Sequence, residues 1–515
     1  MTATGSIGLI AVFVVDVLNL LYISRLGRHE LAAAVGYAST LLFFHTSVSI
    51  GLSIAVTATV SRAIGSGDYP LARQFAASSL YLIGGISAFL VVVTYPFLGS
   101  LLGLLGAQGV VQGVEELLFV GELSLDGSLR HTRGVLPSLI CAYRNGICKV
   151  VIPRANLAEA KLLPELEVFA FDALKDVVHW MQTGEIAEQS EFDLEFEVIE
   201  RSLDFSDVAG QSAARRASEI SAAGAHNFLM IGPPGVGKTM IAERLPTILP
   251  PLSKEETLEV SAIHSITNSD RTPLSTTAPF ISPHHSTTRI AMVGGGAHVI
   301  KPGVCSLAHR GVLFIDEAPE CGSGVLDSLR QPLESGAITI SRANGNLTFP
   351  AKFILVLAAN PCPCGKFSGK GLGCTCSSVQ VRRYLNKLSG PLLDRIDLRV
   401  SVENVSRVEL AQEINESSET IRNRVVEARA VAAHRFKNES WRLNSEIPPR
   451  ALRQQYQPDR QAMNFLHDEL DKERITARGL HKIIRTSWTI ADLKGVSRPT
   501  LDEVTESYRL REGIE

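Results

Sequence analysis

Gly232-Pro-Pro-Gly-Val-Gly-Lys-Thr239 fits the pattern G-x-x-x-x-G-K-[ST] and stands between an apolar run, residues 227–231, and a stretch that reads as a helix. Strand, glycine-rich loop and helix in that order are the setting in which the pattern cradles nucleotide phosphates. The glycines let successive backbone N–H groups turn inward around the phosphate oxygens. Lys238 supplies a point charge to the β and γ oxygens, and the Thr239 hydroxyl is placed to ligate Mg2+. The expected nucleotide contacts are therefore Gly232, Pro233, Pro234, Gly235, Val236, Gly237, Lys238 and Thr239. Taken alone, a Gly-Pro turn between a strand and a helix explains the same residues.

A second signature narrows that choice. Gly311-Val-Leu-Phe-Ile-Asp316-Glu317, about eighty residues downstream, is an apolar run ending in two adjacent carboxylates. Buried parallel strands have this composition. Asp316 at the strand end is expected to join Thr239 in the Mg2+ shell, and Glu317 to orient and deprotonate the water that attacks the γ-phosphate. A third apolar run, residues 353–359, ends at Asn360, a polar residue placed to position the same water.

At these residues the chain resembles the magnesium-chelatase-like AAA+ ATPases of the YifB/ComM type. The resemblance runs from about residue 116 to the C-terminus and includes Asp207-Val-Ala-Gly-Gln211, Ser282-Pro-His-His285, Gly294-Gly-Gly296, Lys301-Pro-Gly303, Ser306-Leu-Ala-His309, Asn360-Pro-Cys-Pro-Cys-Gly365, Gly390-Pro-Leu-Leu-Asp-Arg-Ile-Asp397 and Thr476-Ala-Arg478. It implies an α/β P-loop AAA+ core with a helical lid, Mg2+-dependent ATP hydrolysis, and a homo-oligomeric ring, a hexamer. It further implies that Arg395 is an arginine finger reaching a neighbouring subunit's γ-phosphate and that Arg478 is the second sensor arginine of the lid. The other reading of each arginine is a surface ion pair. The family's implied work is DNA remodelling of the branch-migration or helicase type. A magnesium chelatase subunit is an alternative, although no tetrapyrrole site or partner-subunit domain is visible.

Eight cysteines occur, four of them close together: Cys362, Cys364, Cys374 and Cys376. Four thiolates in a glycine-rich loop suit a tetrahedral Zn2+ site, while C-x-C is tighter than the usual C-x-x-C and reduced thiols stand as the alternative. Two disulfides do not suit a cytosolic segment. A metal here would stiffen the loop that follows Asn360. Cys141, Cys148, Cys305 and Cys321 read as ordinary buried cysteines. The net charge of −3 announces no global attraction to nucleic acid, so any DNA contact must be local. Residues 282–310, with His284, His285, Arg289, a triple glycine, Lys301 and Arg310, read as a flexible, mildly basic loop able to line a pore and grip a phosphate backbone. Polar loop residues without such a role are the alternative.

The first hundred residues are a different material. Uncharged apolar stretches at 35–61 and 75–105, and a shorter one at 7–23 whose only charge is Asp16, have the length of membrane spans. A secretory signal is the other reading of the first, but it lacks a basic start. Val15-Asp16, Ser24-Arg-Leu-Gly27, Glu30-Leu-Ala-Ala-Ala-Val-Gly36 and Arg62-Ala-Ile-Gly-Ser-Gly-Asp68 resemble the start of a MATE-type multidrug efflux transporter. About a quarter of such a transporter is present, so no transport is expected. Gly121-Glu-Leu-Ser-Leu-Asp-Gly127 and Arg133-Gly-Val-Leu-Pro137 resemble the later part of the Lon-like domain that precedes the ATPase in the YifB/ComM family.

The expected organisation is a MATE-like fragment of about three transmembrane helices at 1–107, a junction at 108–114, a partial Lon-like α/β domain at 115–186, a linker at 187–203, the ATPase core at 204–403 and a helical lid at 404–515. Within the last part, residues 407–437 are helical in period and 448–511 read as several short helices. The implied location is a membrane anchor with the ATPase in the cytoplasm, or the cytoplasm alone if the fragment belongs elsewhere. A membrane-anchored, non-catalytic chimera is the reading from a different class.

Overall fold

The computed structural model describes residues 117–185, 203–267, 276–296, 300–342, 345–367, 373–405 and 415–513, with scattered residues between 56 and 78. Among the described residues no helix is long and apolar enough to cross a membrane. The spans expected at 7–23, 35–61 and 75–105 lie, apart from those scattered positions, outside the described residues, as do the junction at 108–114 and most of the linker.

The first described layer is a three-stranded sheet of β1 (Leu117–Phe119), β2 (Lys149–Pro153) and β3 (Glu167–Phe171), in that order, with β2 and β3 parallel. Helix α1 (Val135–Arg144) covers it, burying Val135, Leu136 and Leu139 completely. Cys141, on the outer side of that helix, and Cys148 are exposed, not buried as the sequence suggested. Only Cys305 and Cys321 of that group are buried.

The core begins with α2 (Ser212–Gly224), followed by β4 (Phe228–Ile231), α3 (Lys238–Arg244), α4 (Lys254–Thr267), β5 (Phe280–Ile281), β6 (Val312–Ile315), the hairpin β7 (Ala337–Arg342) and β8 (Gly345–Pro350), β9 (Ile354–Ala359) and β10 (Leu398–Ser401). Strands β10, β4, β9, β6 and β5 form, in that order, a parallel sheet. Its central strands are apolar at every position because both faces are covered. Alternation sends Phe228, Met230, Phe314 and Val356 to one side, where α2 packs. Leu229, Leu313, Ile315 and Leu357 point to the other, against Met292, Cys305 and Leu392.

Met292 and Cys305 come from the stretch read as a free basic loop, and both are at most 1% exposed. Its described residues instead form a short helix, Arg289–Val293, a two-residue ladder of Gly294–Gly295 with Lys301–Pro302, and another short helix, Val304–Leu307. Arg310, counted as a possible phosphate contact, is held by Glu256 at 3.3 Å and Glu259 at 2.9 Å.

Beyond the sheet come α5 (Ser418–Arg435), α6 (Arg460–Asp471), α7 (Ala477–Lys494) and α8 (Leu501–Glu512). α5 falls within the stretch read as helical at 407–437, whereas in 448–511, read as several short helices, α7 alone runs 18 residues. Thr476 caps its start by accepting the Gly479 N–H, and Gly495 at φ 70° ends it. Ile421, Val425 and Ala428 of α5 and Ile490 of α7 enter the sheet's core, while Phe436, Leu466, Ile483 and Trp488 form a second one. The helices are also pinned electrostatically, because Lys482 on α7 lies 2.6 Å from Asp397, which accepts the Asn227 N–H at the entrance of β4. Burial pushes the Asp397 carboxyl up, but Lys482, His226 and the Asn227 N–H together outweigh it, and the group stays below its usual range.

Candidate nucleotide site

Register sets the site. Ala359 pairs with Ile231 and Leu357 with Ile315, so β4 and β9 end level and β6 two positions earlier, which delivers Gly232, Asn360 and Asp316 to the same edge of the sheet. Crevices at the carboxyl ends of parallel strands are where such sheets take ligands. The loop leaving β4 needs its glycines. Gly235 and Gly237 sit at φ 81° and 93°, and a Cβ on Gly232 would stand 2.1 Å from the Val402 carbonyl oxygen.

Lys238 opens α3, is 7% exposed, and donates to the carbonyl oxygens of Gly232 at 2.7 Å and Pro233 at 2.8 Å and to Asn360 Oδ1 at 3.1 Å. Burial lowers its pKa against the upward pull of Asp316 and Glu317. One residue on, the Thr239 hydroxyl donates to Asp316 Oδ2 at 3.0 Å. A hydroxyl and a carboxylate at this spacing, open to solvent, are the hard oxygen donors that Mg2+ takes. The residues present therefore fit a magnesium nucleotide, for which the loop amides and Lys238 would hold phosphate and Thr239 and Asp316 the ion.

Glu317 stands next to Asp316 in a left-handed conformation, φ 48°, unusual for a side chain with a Cβ. Its N–H is fixed on Asp316 Oδ1 at 2.8 Å, and its carboxylate is half exposed. Strain of this kind is retained where the surroundings over-determine it, and here it turns Glu317 away from the strand's own direction. His285 Nδ1 lies 3.5 Å from Glu317 Oε2, and its ring packs against His284 at 4.0 Å between centroids.

Arg395 and Arg478 belong to a second place. Arg395 is hydrogen-bonded to the Pro391 carbonyl and to Glu334, and Arg478 reaches the same Glu334 oxygen at 3.6 Å. The Nε of Arg395 has no hydrogen-bond partner among the described residues. Both arginines line a cavity of about 950 Å3 together with Glu334, Asp394, Lys482 and Arg485, and no residue of the 232–239 loop lines it. Thus Lys238, Thr239, Asp316, Glu317 and Asn360 are brought together within one chain, whereas the two arginines form their own cluster.

The cysteine cluster adjoins the first place. The sulfurs of Cys362, Cys364, Cys374 and Cys376 lie within 4.8 Å of one another, and Cys362 follows Asn360 by two residues.

Sequence reasoning missed two residues. Glu334 carried no motif. His285 was treated as loop, although the apolar pair Phe280-Ile281 just before it could have signalled a further strand. That strand runs parallel to β6 with Phe280 opposite Val312, which carries His285 past the sheet edge toward Glu317.

Residues 204–410 match the family described as magnesium chelatase, subunit ChlI, and residues 415–511 its C-terminal part. Residues 98–156 match a family described as subunit ChlI of Mg-chelatase, and residues 6–119 match MatE. The uncharacterized protein Rv2897c of Mycobacterium tuberculosis is 43% identical over 431 residues, 81% of this chain and 85% of its own. The competence protein ComM of Haemophilus influenzae is 37% identical over 76% of this chain and 78% of its own. YifB of Escherichia coli is 39% identical over 77% and 78%.

Proposed function

The chain belongs to the YifB/ComM family of magnesium-chelatase-like proteins, and from that premise we propose that it is a Mg2+-dependent AAA+ ATPase that works as a homo-oligomeric ring, a hexamer, and remodels DNA. One observation carries the reading. Lys238, Thr239, Asp316, Glu317 and Asn360 converge from three neighbouring parallel strands onto one sheet edge, each with the chemistry that phosphoryl transfer to water requires.

The roles follow from that geometry. Backbone amides and Lys238 orient the triphosphate, and Thr239 and Asp316 would hold a Mg2+ ion that would supply charge neutralisation at its oxygens. Asn360 positions the attacking water and Glu317 accepts its proton. Arg395 and Arg478 do not accompany the loop of their own chain, so they are assigned to the nucleotide of a neighbour. ATP and Mg2+ are the cofactors of this reading, with Zn2+ at the cysteines. Exposed Arg289 and Lys301 remain to contact DNA once Arg310 is set aside.

The MatE match at 6–119 favours a second reading, a membrane-anchored chimera without catalysis. ATP turnover of the purified full chain, with and without single- and double-stranded DNA, separates the two. Turnover that rises with DNA and is lost in Glu317→Gln supports the motor. Turnover equal in that variant refutes the assigned mechanism, and none in the unaltered chain leaves the chimera.

A further inference from the structure

The turn that carries the first two cysteines rests on the nucleotide loop. We propose that Cys362, Cys364, Cys374 and Cys376 bind one zinc ion that clamps Asn360 and the 232–239 loop in their hydrolytic arrangement, so that nucleotide turnover depends on the metal. The proposal rests on the ATPase reading of that loop.

Sulfur geometry comes first. Cys362 and Cys364 are 3.3 Å apart, and Cys374 is 3.6 Å from each. Four thiolates around zinc at about 2.3 Å define a tetrahedron with edges of about 3.8 Å, whereas a disulfide needs sulfurs at about 2.0 Å. The spacing is that of a metal site, and all eight cysteines are free thiols. Without an ion, four sulfurs in mutual contact have only weak S–H donors to offer one another. The cluster contains no imidazole or carboxylate, and such a purely soft donor set selects zinc over Mg2+.

Coupling to the nucleotide comes from two contacts. Asn360, which accepts from Lys238, is separated from the buried Cys362 only by Pro361, whose ring restricts the chain. On the other side of the turn, Gly365 sits at φ 74°, and a Cβ there would meet Pro234 Cδ at 2.7 Å. Its N–H closes the turn on the Cys362 carbonyl at 3.0 Å. An ion joining 362 and 364 to 374 and 376 therefore fixes a turn that touches the nucleotide loop at Pro234 and Lys238 at once. Loss of support around a functional group costs about 10–100-fold in comparable shells around metals.

The test uses the full chain, with zinc measured by mass spectrometry, free thiols by titration, and turnover before and after stripping the metal and adding it back. The expected result is about one zinc per chain and a fall in turnover of about tenfold or more on stripping, restored by zinc but not by added Mg2+. Cys374→Ser with Cys376→Ser should lose the ion. If that variant does not fold, the stripped and reloaded native chain decides. Lys238→Ala should keep its zinc while losing nucleotide, which separates the fate of the clamp from that of the ATPase reading. If the unaltered chain hydrolyses nothing, binding of a fluorescent ATP analogue replaces turnover, and stripping must weaken it. A chain without zinc whose four thiols react freely overturns the proposal, and so does a stripped chain with unchanged turnover or analogue binding.

Discussion

Glu334→Gln tests whether the two arginines act on a neighbour. In the single chain Glu334 is the shared anion of Arg395 and Arg478, and a neighbour's phosphate can be reached by Arg395 only after it leaves that carboxylate. The side chain of Arg395 is 13% exposed but that of Glu334 is 54% exposed, so the pair lies between an exposed ion pair at about 0.2–1 kcal/mol and a charged hydrogen bond at about 1.5–3 kcal/mol. Glutamine keeps an acceptor oxygen and loses the charge. A weakening of about 1.4 kcal/mol, summed over both arginines, is a reasonable middle, and it equals a factor of about ten in an equilibrium constant. Because the lost energy belongs to the unassembled chain, assembly gains it. Turnover measured against chain concentration should reach its half-maximum at about tenfold lower concentration in the variant, with the maximal rate kept. A midpoint that moves upward, or a maximal rate that collapses at all concentrations, would mean that Glu334 holds Arg395 in its working position, and the release argument would be refuted.

Glu317→Gln should lower turnover by about 10²–10⁴ while leaving nucleotide affinity intact, as removal of a general base does; turnover within threefold of the unaltered chain would exclude Glu317 as that base. Gly365→Ala should weaken binding of a fluorescent ATP analogue several-fold, because the left-handed backbone alone costs about 1–2 kcal/mol and the new Cβ pushes on Pro234; unchanged affinity would mean the turn does not bear on the loop. His226 is fully buried, and burial lowers its pKa from the ordinary histidine range to about 4. The unfolded chain then takes up the proton first, so this contribution to stability is intact above about pH 6.5 and falls by about 3 kcal/mol as the pH drops toward 4. Thermal unfolding midpoints followed over that range should flatten in His226→Gln, and a slope shared by both proteins would place the effect elsewhere.

The strands that carry chemistry were legible because a strand covered on both faces must be apolar throughout, and each such run stopped at a polar residue that the register then aligned. Asn227 shows what lies beyond that reach. Its side chain donates to the Arg395 carbonyl oxygen at 3.0 Å and accepts from the Leu355 N–H, also at 3.0 Å, joining three segments far apart in the chain. No local pattern encodes such a bond, since its partners are set by which strands become neighbours. Strand β10 escaped for a related reason, being an edge strand whose Arg399 and Ser401 interrupt the apolar run. The basic stretch at 282–310 misled because glycines and histidines suggest freedom, while apolar residues among them, Met292 and Cys305, tie it to the sheet.

The first layer of the described chain does not close its core by itself. Leu258 and Ala262 of α4 pack against the cluster of Leu136, Leu139, Val150 and Ile152, and Glu159 accepts hydrogen bonds from both the Leu136 N–H and the Ser265 hydroxyl. The same α4 presents Glu259 to His309 at 3.1 Å and to Arg310 at 2.9 Å. Arg310 sits at φ 61° two residues before β6, and its N–H is fixed on the Lys352 carbonyl at the entrance of β9. One helix thus connects the apolar surface of the first layer to the starts of the two strands that end in Asp316 and Asn360. Cutting the chain at Ser202 to isolate the ATPase would uncover the apolar side of α4 and loosen the helix that anchors Arg310. Such a segment should turn over ATP more slowly than the full chain even though every nucleotide contact is present in it, and its amides in α4 should exchange faster with deuterium. Equal turnover and equal protection in the two would show that α4 is held by the sheet alone.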